Sequence, residues 1–460
     1  MSHDGLARAQ QVMTDAGVHP TAIEVFSHYY GELEGGATGV ILEDSIRPLT
    51  DPPSLEAADI DEETAREALG RTVVIKLNGG LGTSMGMSKA KSLLPVRDGK
   101  SFLDIVVQQV LAARERYGVR LPLLLMDSFN TRADTLAALQ RYPDLQVEDL
   151  PLDFLQSQEP KLRTDDLTPV EWPDDPQLEW CPPGHGDLYP SLLSSGILAA
   201  LLDKGFRYAT VSNGDNLGAS PDARLAGWFA SSGAPYAAEV CQRTAMDRKG
   251  GHLAIRKDDD QLILRDTAQT ADDEMDFFTD EHRHPFFHTN NLWLDLQRLH
   301  DELTARDGVL GLPLIRNVKT VDPKDSSSPE VYQIESAMGA AVEVFEGAQA
   351  IEVPRSRFLP VKTTNELMLL RSDVYDLRED GTLAMQVDAA PVISLDSKHF
   401  KRIGDFEQRV PERLPSLREA TRFTVEGDWS FGDDVVVKGD VTLPDEGAPS
   451  RVEDGAVLQG

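Results

Sequence analysis

The chain has few cysteines, no long apolar run and a shortage of positive charge. Its 460 residues include two cysteines, Cys181 and Cys241, which are too few for a disulfide framework. The longest apolar run, at 121–126, is much shorter than the ~20 residues of a membrane-spanning helix. Lysine and arginine number 45 against 77 aspartate and glutamate, a formal net charge of −32, so nucleic acid and anionic membranes are repelled at long range. The composition predicts a soluble, cytoplasmic protein with free thiols that binds neither nucleic acid nor a membrane.

The signatures of several catalytic classes are also missing. The sequence contains no HExxH motif, no nucleophile elbow and no cysteine–histidine arrangement. His282, His284 and His288 are close in sequence, but no cysteine or carboxylate accompanies them at metal-site spacing, and their segment is acidic and loop-like. We interpret these histidines as exposed or packing residues and not as a zinc cluster.

A glycine-rich segment, KLNGGLGTSMGMSKAKS at 76–92, follows a β-branched run at 71–77. The run predicts a buried strand, and the carboxyl ends of strands are where open α/β sheets bind ligands. A dinucleotide fingerprint would need glycine in place of Met85, and a Walker loop would need Gly-Lys-Ser/Thr five residues after its first glycine. The remaining pattern, Gly-x-Gly-Thr followed by Lys91, is typical of nucleotidyltransferases that act on sugar phosphates. A flexible strand-to-helix connection is the alternative.

Hydrophobic periodicity predicts an α/β chain with a helical start. Apolar residues three or four apart between 23 and 33 indicate a helix that begins at Pro20 and Thr21, and the prolines of 35–53 indicate a loop. Alternation of strands and helices then predicts right-handed crossovers and a largely parallel sheet. The strand patterns lie at 72–77, 121–126 and 206–212, and the helical patterns at 101–117 and 187–203.

The pattern changes after about residue 385. Val425, Phe431, Val437 and Leu443 recur at intervals of six, with Gly-Asp pairs at 427, 432 and 439 between them. Such hexapeptide spacing is typical of a parallel β-helix. A short antiparallel meander is the alternative.

Eight ordered blocks resemble those of the UDP-glucose pyrophosphorylase family, also called UTP:glucose-1-phosphate uridylyltransferases. They are LNGGLGTSMG at 77, LMDSFNT at 125, FLQSQEPKL at 154, PPGHGD at 182, VSNGDNLGA at 211, KGG at 249, TNNLW at 289 and RSRFLPVKTT at 355. The resemblance covers about residues 20–445. It implies a nucleotide-diphospho-sugar transferase-like α/β fold with a mostly parallel, Rossmann-like central sheet. We expect an N-terminal helical segment at 1–60, a catalytic nucleotidyltransferase domain at 61–384 and a small left-handed parallel β-helix at 385–460.

The resemblance implies an enzyme of carbohydrate metabolism that transfers the uridylyl group of UTP to glucose 1-phosphate, giving UDP-glucose and pyrophosphate. Because the attacking phosphate is already ionised at neutral pH, the in-line displacement needs alignment and cations, and no general base. Two alternatives stay open: a pyrophosphorylase for galactose 1-phosphate or an N-acetylhexosamine 1-phosphate, and a catalytically silent UDP-sugar sensor. TSMG in the loop favours the glucose group, and the oligomeric state is not predicted.

Two lysines are the predicted catalytic cations. Lys91 ends the glycine loop, where an ammonium can reach phosphates held by loop N–H groups. Spacing alone does not separate it from a surface lysine such as Lys89, but alignment to the family favours Lys91. The resemblance assigns Lys362 to the phosphates as well, whereas we interpret Arg355 and Arg357 as structural.

Asp215 is the predicted magnesium ligand. It follows the strand at 206–212, and Mg²⁺ in such sites takes one or two carboxylates together with phosphate oxygens and water. The alternatives are a hairpin turn at Asn213-Gly214 or a cap on the following helix. The match to the family's Asn-x-Asp favours the metal role.

The resemblance implies further contacts with both substrates. The nucleotide-binding positions are Leu77, Asn78, Gly79, Gly80, Lys91, Met126, Gln156, Gly184, Asn213, Asp215 and Lys362. The sugar-phosphate-binding positions are His185, Asn213, Gly214, Gly250, Asp266 and Asn290. Gln156 carries an acceptor and donors, which suits the edge of uracil. Two positions depart from the family: His288 replaces an asparagine and Asp266 replaces a glutamate.

Overall fold

A large mixed β-sheet forms the centre of the computed structural model, which describes residues 3–244, 247–248, 250–411 and 413–460. Lys249, the first residue of the KGG block, lies outside these residues. The strands are β1 (Ile46–Pro48), β2 (Thr72–Asn78), β3 (Pro95–Arg97), β4 (Lys100–Ser101), β5 (Leu123–Asp127), β6 (Asp153–Leu155), β7 (Glu159–Pro160), β8 (Leu162–Arg163), β9 (Trp180–Cys181), β10 (Tyr208–Asn213), β11 (Tyr236–Gln242), β12 (His252–Arg256), β13 (Leu262–Arg265), β14 (Phe286–Asp295), β15 (Ile315–Thr320), β16 (Glu330–Glu335), β17 (Gln349–Glu352), β18 (Tyr375–Leu377), β19 (Leu383–Met385), β20 (Val392–Leu395), β21 (Ser416–Val425), β22 (Trp429–Phe431), β23 (Val436–Leu443), β24 (Ser450–Val452) and β25 (Val457–Gln459).

Helices precede β1 and lie between later strands, and the predicted helical patterns that begin at Pro20 and at 101 are confirmed. The helices are α1 (His3–Asp15), α2 (Pro20–Glu34), α3 (Glu62–Gly70), α4 (Phe102–Tyr117), α5 (Arg132–Leu139), α6 (Leu188–Ser194), α7 (Ile197–Asp203), α8 (Ala223–Ser232), α9 (Met275–Phe278), α10 (Leu296–Ala305), α11 (Thr364–Arg371), α12 (Ser397–Phe400) and α13 (Ile403–Arg409). The pattern at 187–203 gives two helices and not one, because Gly196 adopts φ +75 between them. No helix in the described part of the chain is long and apolar enough to cross a membrane.

The parallel half of the sheet has the order β10-β2-β5-β6. Its strands are short apolar runs, and β5 is buried along its whole length, as expected for strands covered by helices on both faces. Because the four strands run in one direction, their carboxyl ends meet at one edge of the sheet. The predicted α/β architecture is confirmed.

The rest of the sheet is mainly antiparallel, although β11 and β17 pair in parallel, so the sheet is mixed and not mostly parallel as predicted. β14 pairs antiparallel with both β10 and β11, and it also contacts β12. β1 lies within 35–53, which was predicted to be a loop, and pairs antiparallel with β12. Long-range pairing therefore forms a strand where proline composition alone favours none, with Pro48 at its end.

The C-terminal region is built from parallel strands, so the meander alternative is wrong. One sheet has the order β20-β21-β23-β25, and β22 pairs with β24, all in parallel. The four residues at intervals of six are buried: Val425, Phe431, Val437 and Leu443. They belong to the same apolar core as residues of α4 and β2. The boundaries at 60 and 384 stay predictions.

Candidate active site

A cleft with a volume of about 380 Å³ opens at the carboxyl ends of β2, β5 and β10. It is lined by Leu77, Asn78, Gly79, Gly80, Lys91, Ser92, Met126, Gln156, Pro182, His185, Asn213, Gly214 and Asp215. All of these except Ser92 and Pro182 are among the predicted site residues. Ser92 directly follows Lys91, and its buried hydroxyl makes no hydrogen bond within the described chain. Its position beside the candidate lysine is the signal that could have identified it.

Lys91 and Asp215 contact each other inside this cleft. The Lys91 ammonium donates a hydrogen bond to Asp215 Oδ2 at 2.5 Å, and a second to the backbone carbonyl of Val361. Their side chains are 19% and 17% exposed, so the pair is screened from water and still reachable by a ligand. Lys362 follows Val361 directly and its side chain is exposed. The structure thus brings Lys91 and the predicted metal ligand together, and the backbone of the residue before Lys362 contacts Lys91.

The glycine loop folds back over Lys91. The Lys91 backbone N–H donates to the carbonyl of Gly80 at 3.0 Å. Gly82 adopts φ +64, and a Cβ at this position would lie 3.4 Å from Lys91 Cγ and 2.9 Å from Met87 Sδ. A side chain at residue 82 is therefore disfavoured by its backbone conformation and by its neighbours. The loop keeps a close contact between its backbone and the lysine stem.

The loop that carries Asp215 lies against β2. The N–H of Gly214 donates to Leu77 O at 2.9 Å, and a Cβ at residue 214 would lie 2.7 Å from that oxygen. Glycine is therefore required for this approach. Asp215 does not cap the following helix: α8 is capped by Asp222, whose carboxylate accepts the N–H of Leu225 at 3.0 Å. The helix-cap alternative for Asp215 is wrong.

A buried lysine that sequence reasoning missed supports the same loop. Lys76 is 1% exposed, and its ammonium donates to Ser212 Oγ at 2.7 Å and to Ala219 O at 2.8 Å. Burial lowers its pKa to about 7. Lys76 therefore ties both ends of the Asp215 loop to β2. A lysine within the apolar run 71–77 was the signal available in the sequence.

Gln156 lies over the first glycine of the loop. A Cβ at Gly79 would be 3.0 Å from Gln156 Oε1, so the amide and the glycine backbone form one surface. Beneath it, Asn78 Nδ2 donates to Asp127 Oδ1 at 2.6 Å, and Ser128 Oγ donates to Gly79 O at 2.9 Å. Burial raises the pKa of Asp127 to about 7. Asp127 was not predicted as a site residue, although the LMDSFNT block contains it.

A backbone hydrogen bond holds His185 in one tautomer. Its Nδ1 accepts the N–H of Met338 at 2.9 Å, so the proton of the neutral ring resides on Nε2. The residue is exposed to the open cleft, but the protein packed around the ring desolvates it, which lowers the pKa of the imidazole and keeps it neutral. Gly184 adopts φ +79, and a Cβ there would lie 2.6 Å from Ser336 O. The close packing of this loop presents the His185 Nε2–H as a donor.

The other predicted site residues lie around the cleft without lining it: Gly184, Gly250, Asp266, Asn290 and Lys362. Asn290 Nδ2 donates to Asn213 Oδ1 at 3.0 Å, which connects β14 to the cleft. The carboxylate of Asp266 interacts electrostatically with His185 and accepts the N–H of Thr267 at 2.6 Å. Gly250 closes a turn with Asp247.

A buried ion pair behind the site was not predicted as a pair. Arg357 donates to both carboxylate oxygens of Glu239, at 2.7 and 2.9 Å, and the two side chains are 8% and 0% exposed. Trp293 and Asn291 also donate to Glu239. Arg355 instead pairs with Asp247, near the surface. Arg357 and Arg355 each form an ion pair with a carboxylate of the protein, as expected for residues with a structural role.

The three clustered histidines have separate surroundings. His282 is exposed, His284 contacts the buried Glu43, and His288 packs beside Asn290. Across residues 3–244, 247–248, 250–411 and 413–460, no group of three or more histidine, cysteine, aspartate or glutamate side chains could hold a metal ion. A zinc site of the usual kind therefore has no ligand set in this part of the chain.

Comparisons with known proteins show the family and the fold to which this chain is similar. The model of the UTP–glucose-1-phosphate uridylyltransferase family matches residues 23–438. The chain is 39% identical over 404 residues to the UTP–glucose-1-phosphate uridylyltransferase of Hordeum vulgare, covering 87% of this chain and 83% of that protein. It is 39% identical over 396 residues to that of Saccharomyces cerevisiae, covering 85% and 77%. A crystal structure of a point mutant of Leishmania major UDP-glucose pyrophosphorylase in complex with UDP-glucose has 42% identity and a TM-score of 0.92, over 100% and 99% of the two chains.

Proposed function

The chain belongs to the UTP–glucose-1-phosphate uridylyltransferase family, and we propose that the cleft at the ends of β2, β5 and β10 is its active site. The protein is a nucleotidyltransferase that converts UTP and glucose 1-phosphate to UDP-glucose and pyrophosphate. A phosphate oxygen of the sugar phosphate attacks the α-phosphorus of UTP, and the bond from that phosphorus to the pyrophosphate oxygen breaks. The remaining questions are which residues align the substrates and neutralise their charge.

Lys91 is the proposed catalytic cation. A chain with a net charge of −32 repels two polyanionic substrates, so positive charge must be concentrated locally. The Lys91 ammonium is fixed by Asp215 and by the carbonyl of Val361. We propose that it faces the transferring and leaving phosphates, where negative charge develops. We propose that Lys362, at the exposed rim beside Val361, binds the same phosphates.

Asp215 is the proposed ligand for Mg²⁺. The site offers one carboxylate, one of whose oxygens is paired with Lys91. One carboxylate suits Mg²⁺, which keeps phosphate and water ligands, and does not suit an ion that needs an all-protein cage. When bound, the ion supplies electrostatic stabilisation of the triphosphate. Asp215 itself orients the Lys91 ammonium.

Uracil and the sugar phosphate are assigned to opposite sides of the cleft. On the β2–β5 side, we propose that Gln156 and the backbone of Leu77, Gly79 and Gly80 recognise the base, with Asn78 and Met126 alongside. On the other side, the His185 Nε2–H donates to the sugar phosphate. Because desolvation lowers the pKa of His185 and keeps the ring neutral, it acts as a hydrogen-bond donor without carrying a proton into the reaction. Gly184, Asn213, Gly214, Gly250, Asp266 and Asn290 complete the proposed contacts.

The contact between Lys91, Asp215 and Val361 within one cleft is the observation that carries this proposal. The test is pyrophosphate release by the purified protein with UTP, Mg²⁺ and a panel of glucose 1-phosphate, galactose 1-phosphate and N-acetylglucosamine 1-phosphate. Glucose 1-phosphate should give the highest kcat/KM. UTP binding without pyrophosphate release from any of the three would instead identify a UDP-sugar sensor.

We also propose a domain division and a compartment. The N-terminal helical segment comprises 1–60, the catalytic domain 61–384 and the C-terminal β-structure 385–460. Cys181 and Cys241 are both free and buried, which supports a reducing cytoplasmic location. Limited proteolysis and fractionation of the native host cell test these two proposals.

A further inference from the structure

β14 contains a bulge at the point where it passes the candidate site. Val240 of β11 pairs with His288, and Ala238 pairs with Leu292, so residues 289–291 stand opposite the single residue Glu239. Bulges next to active sites commonly redirect a side chain. Here the middle residue, Asn290, adopts a left-handed backbone with φ +61. Its side chain reaches Asn213 at the cleft, with 3.0 Å between Nδ2 and Oδ1.

The imidazole of His288 accepts a hydrogen bond from the backbone N–H of Asn290, which the bulge removes from strand pairing. The N–H of Asn290 donates to His288 Nδ1 at 3.1 Å. A buried backbone N–H must find a partner, and a bulged residue has lost its partner on the neighbouring strand. The backbone at His288 is itself paired, because its N–H donates to Gly251 O at 2.9 Å. His288 thus connects the Gly250-Gly251 turn to Asn290.

We propose that His288 is a positioning residue for the sugar side of the active site, holding Asn290 in the bulged, left-handed conformation that directs its amide towards glucose 1-phosphate. This inference rests on the proposed function, because it takes Asn290 as a sugar contact. An asparagine Oδ1 at position 288 could accept the same N–H as the imidazole Nδ1.

The surroundings of His288 keep its Nδ1 lone pair available. The ring packs against the 3-10 helix at 338–343, where a Cβ on Gly339 would lie 2.8 Å from His288 Cε1. Within the described chain, Nε2 is buried and has no hydrogen-bond partner. Burial lowers the pKa of His288 to about 4, and the charged and titratable neighbours that act on it are His185 and Glu239. The ring therefore stays neutral at neutral pH, with its proton on Nε2.

The test compares one acceptor-retaining variant with one acceptor-free variant of the full-length protein. His288→Asn should keep the KM for glucose 1-phosphate close to that of the wild type. His288→Leu leaves the Asn290 N–H without an acceptor and should raise that KM about tenfold, the fold-change that a lost buried hydrogen bond produces. The KM for UTP should stay within about twofold in both variants, because His288 and Asn290 contact Asn213 and not Gln156 or the 77–80 backbone proposed to recognise the base. Thermal melting establishes that each variant is folded, and His288→Ala replaces His288→Leu if the latter is not.

A double variant separates positioning from a general packing effect. If His288 acts through Asn290, adding His288→Leu to Asn290→Ala should raise the KM for glucose 1-phosphate no further. An unchanged KM in His288→Leu, equal increases for both substrates, or independent effects in the double variant would overturn the inference. Failure of the wild type to form UDP-glucose would instead overturn the proposed function, so the two failures are distinguishable.

Discussion

The Lys91 ammonium and the Asp215 carboxylate lie 124 residues apart in sequence and are joined by a hydrogen bond of 2.5 Å. The two side chains come from the loops that follow β2 and β10, which are neighbouring parallel strands. One carboxylate is thus both the partner of the proposed phosphate-binding lysine and the proposed magnesium ligand. Changing either residue should therefore affect charge neutralisation and leave the fold intact.

Asp215→Asn should raise the Mg²⁺ concentration required for half-maximal activity by about tenfold or more, because an amide is a weaker ligand for this ion than a carboxylate. The measurement is initial rate against Mg²⁺ at saturating substrates. Asp222→Asn is the matched control, since asparagine caps α8 as well as aspartate does. An unchanged Mg²⁺ requirement in Asp215→Asn would remove Asp215 from the metal site.

Gly184→Ala should reduce kcat/KM for glucose 1-phosphate by about tenfold or more, because His185 loses its alignment. The added Cβ would lie 2.6 Å from Ser336 O at φ +79. Gly205→Ala is the control: its φ is +82, but nothing lies within 4 Å of the added Cβ. This control should lose only about 1 kcal/mol of stability and keep its activity. Equal kinetics for the two variants would contradict the role given to the 183–186 loop.

Asp127→Asn should change how stability depends on pH. Burial raises the pKa of Asp127 from its ordinary 3.8 to about 7, so between these values the folded chain holds a proton that the unfolded chain releases. The contribution of the Asp127 carboxyl to the free energy of unfolding therefore falls as pH rises through this window, by up to about 1.4 kcal/mol per pH unit. Asparagine does not titrate. Urea unfolding of both proteins at pH values of about 5 and about 7.5 should show the wild type losing stability relative to the variant, and a constant difference would refute the buried-acid account.

Arg357→Ala should destabilise the fold by about 3–5 kcal/mol, because it leaves the buried Glu239 carboxylate without its partner. Arg355→Ala is the control. It removes an ion pair whose arginine is 48% exposed, and it should cost about 0–1 kcal/mol. Denaturant midpoints of both variants test this difference. Similar midpoints would contradict a stabilising role for the Glu239–Arg357 pair between β11 and residues 355–357.

The sequence was most informative where chemistry depends on neighbours in the chain. The glycine loop, Lys91 and Gln156 could be predicted to share one cleft because ordered motifs that resemble a known family follow strands that are themselves apolar runs. The parallel half of the sheet could be predicted for the same reason. In the C-terminal region, inward residues at intervals of six were sufficient to predict parallel strands.

The sequence was least informative where distant segments meet. The carbonyl of Val361 that fixes Lys91 is 270 residues away, and no local pattern predicts this contact. The bulge at 289–291 depends on the register between β11 and β14, which alternation within one strand does not determine. Lys76 was overlooked because a lysine within a strand pattern ordinarily faces water, whereas here two buried oxygens accept hydrogen bonds from its ammonium.

The most direct test of the proposed cation is the initial rate of pyrophosphate release by Lys91→Met, measured beside Lys89→Met at saturating UTP, glucose 1-phosphate and Mg²⁺. Lys89 is exposed and close in sequence, so it controls for the loss of one positive charge near the loop. We expect a rate about 10²–10³-fold below wild type for Lys91→Met, with an unchanged melting temperature, and a rate within about twofold of wild type for Lys89→Met. A wild-type rate in Lys91→Met would contradict the catalytic role of this lysine.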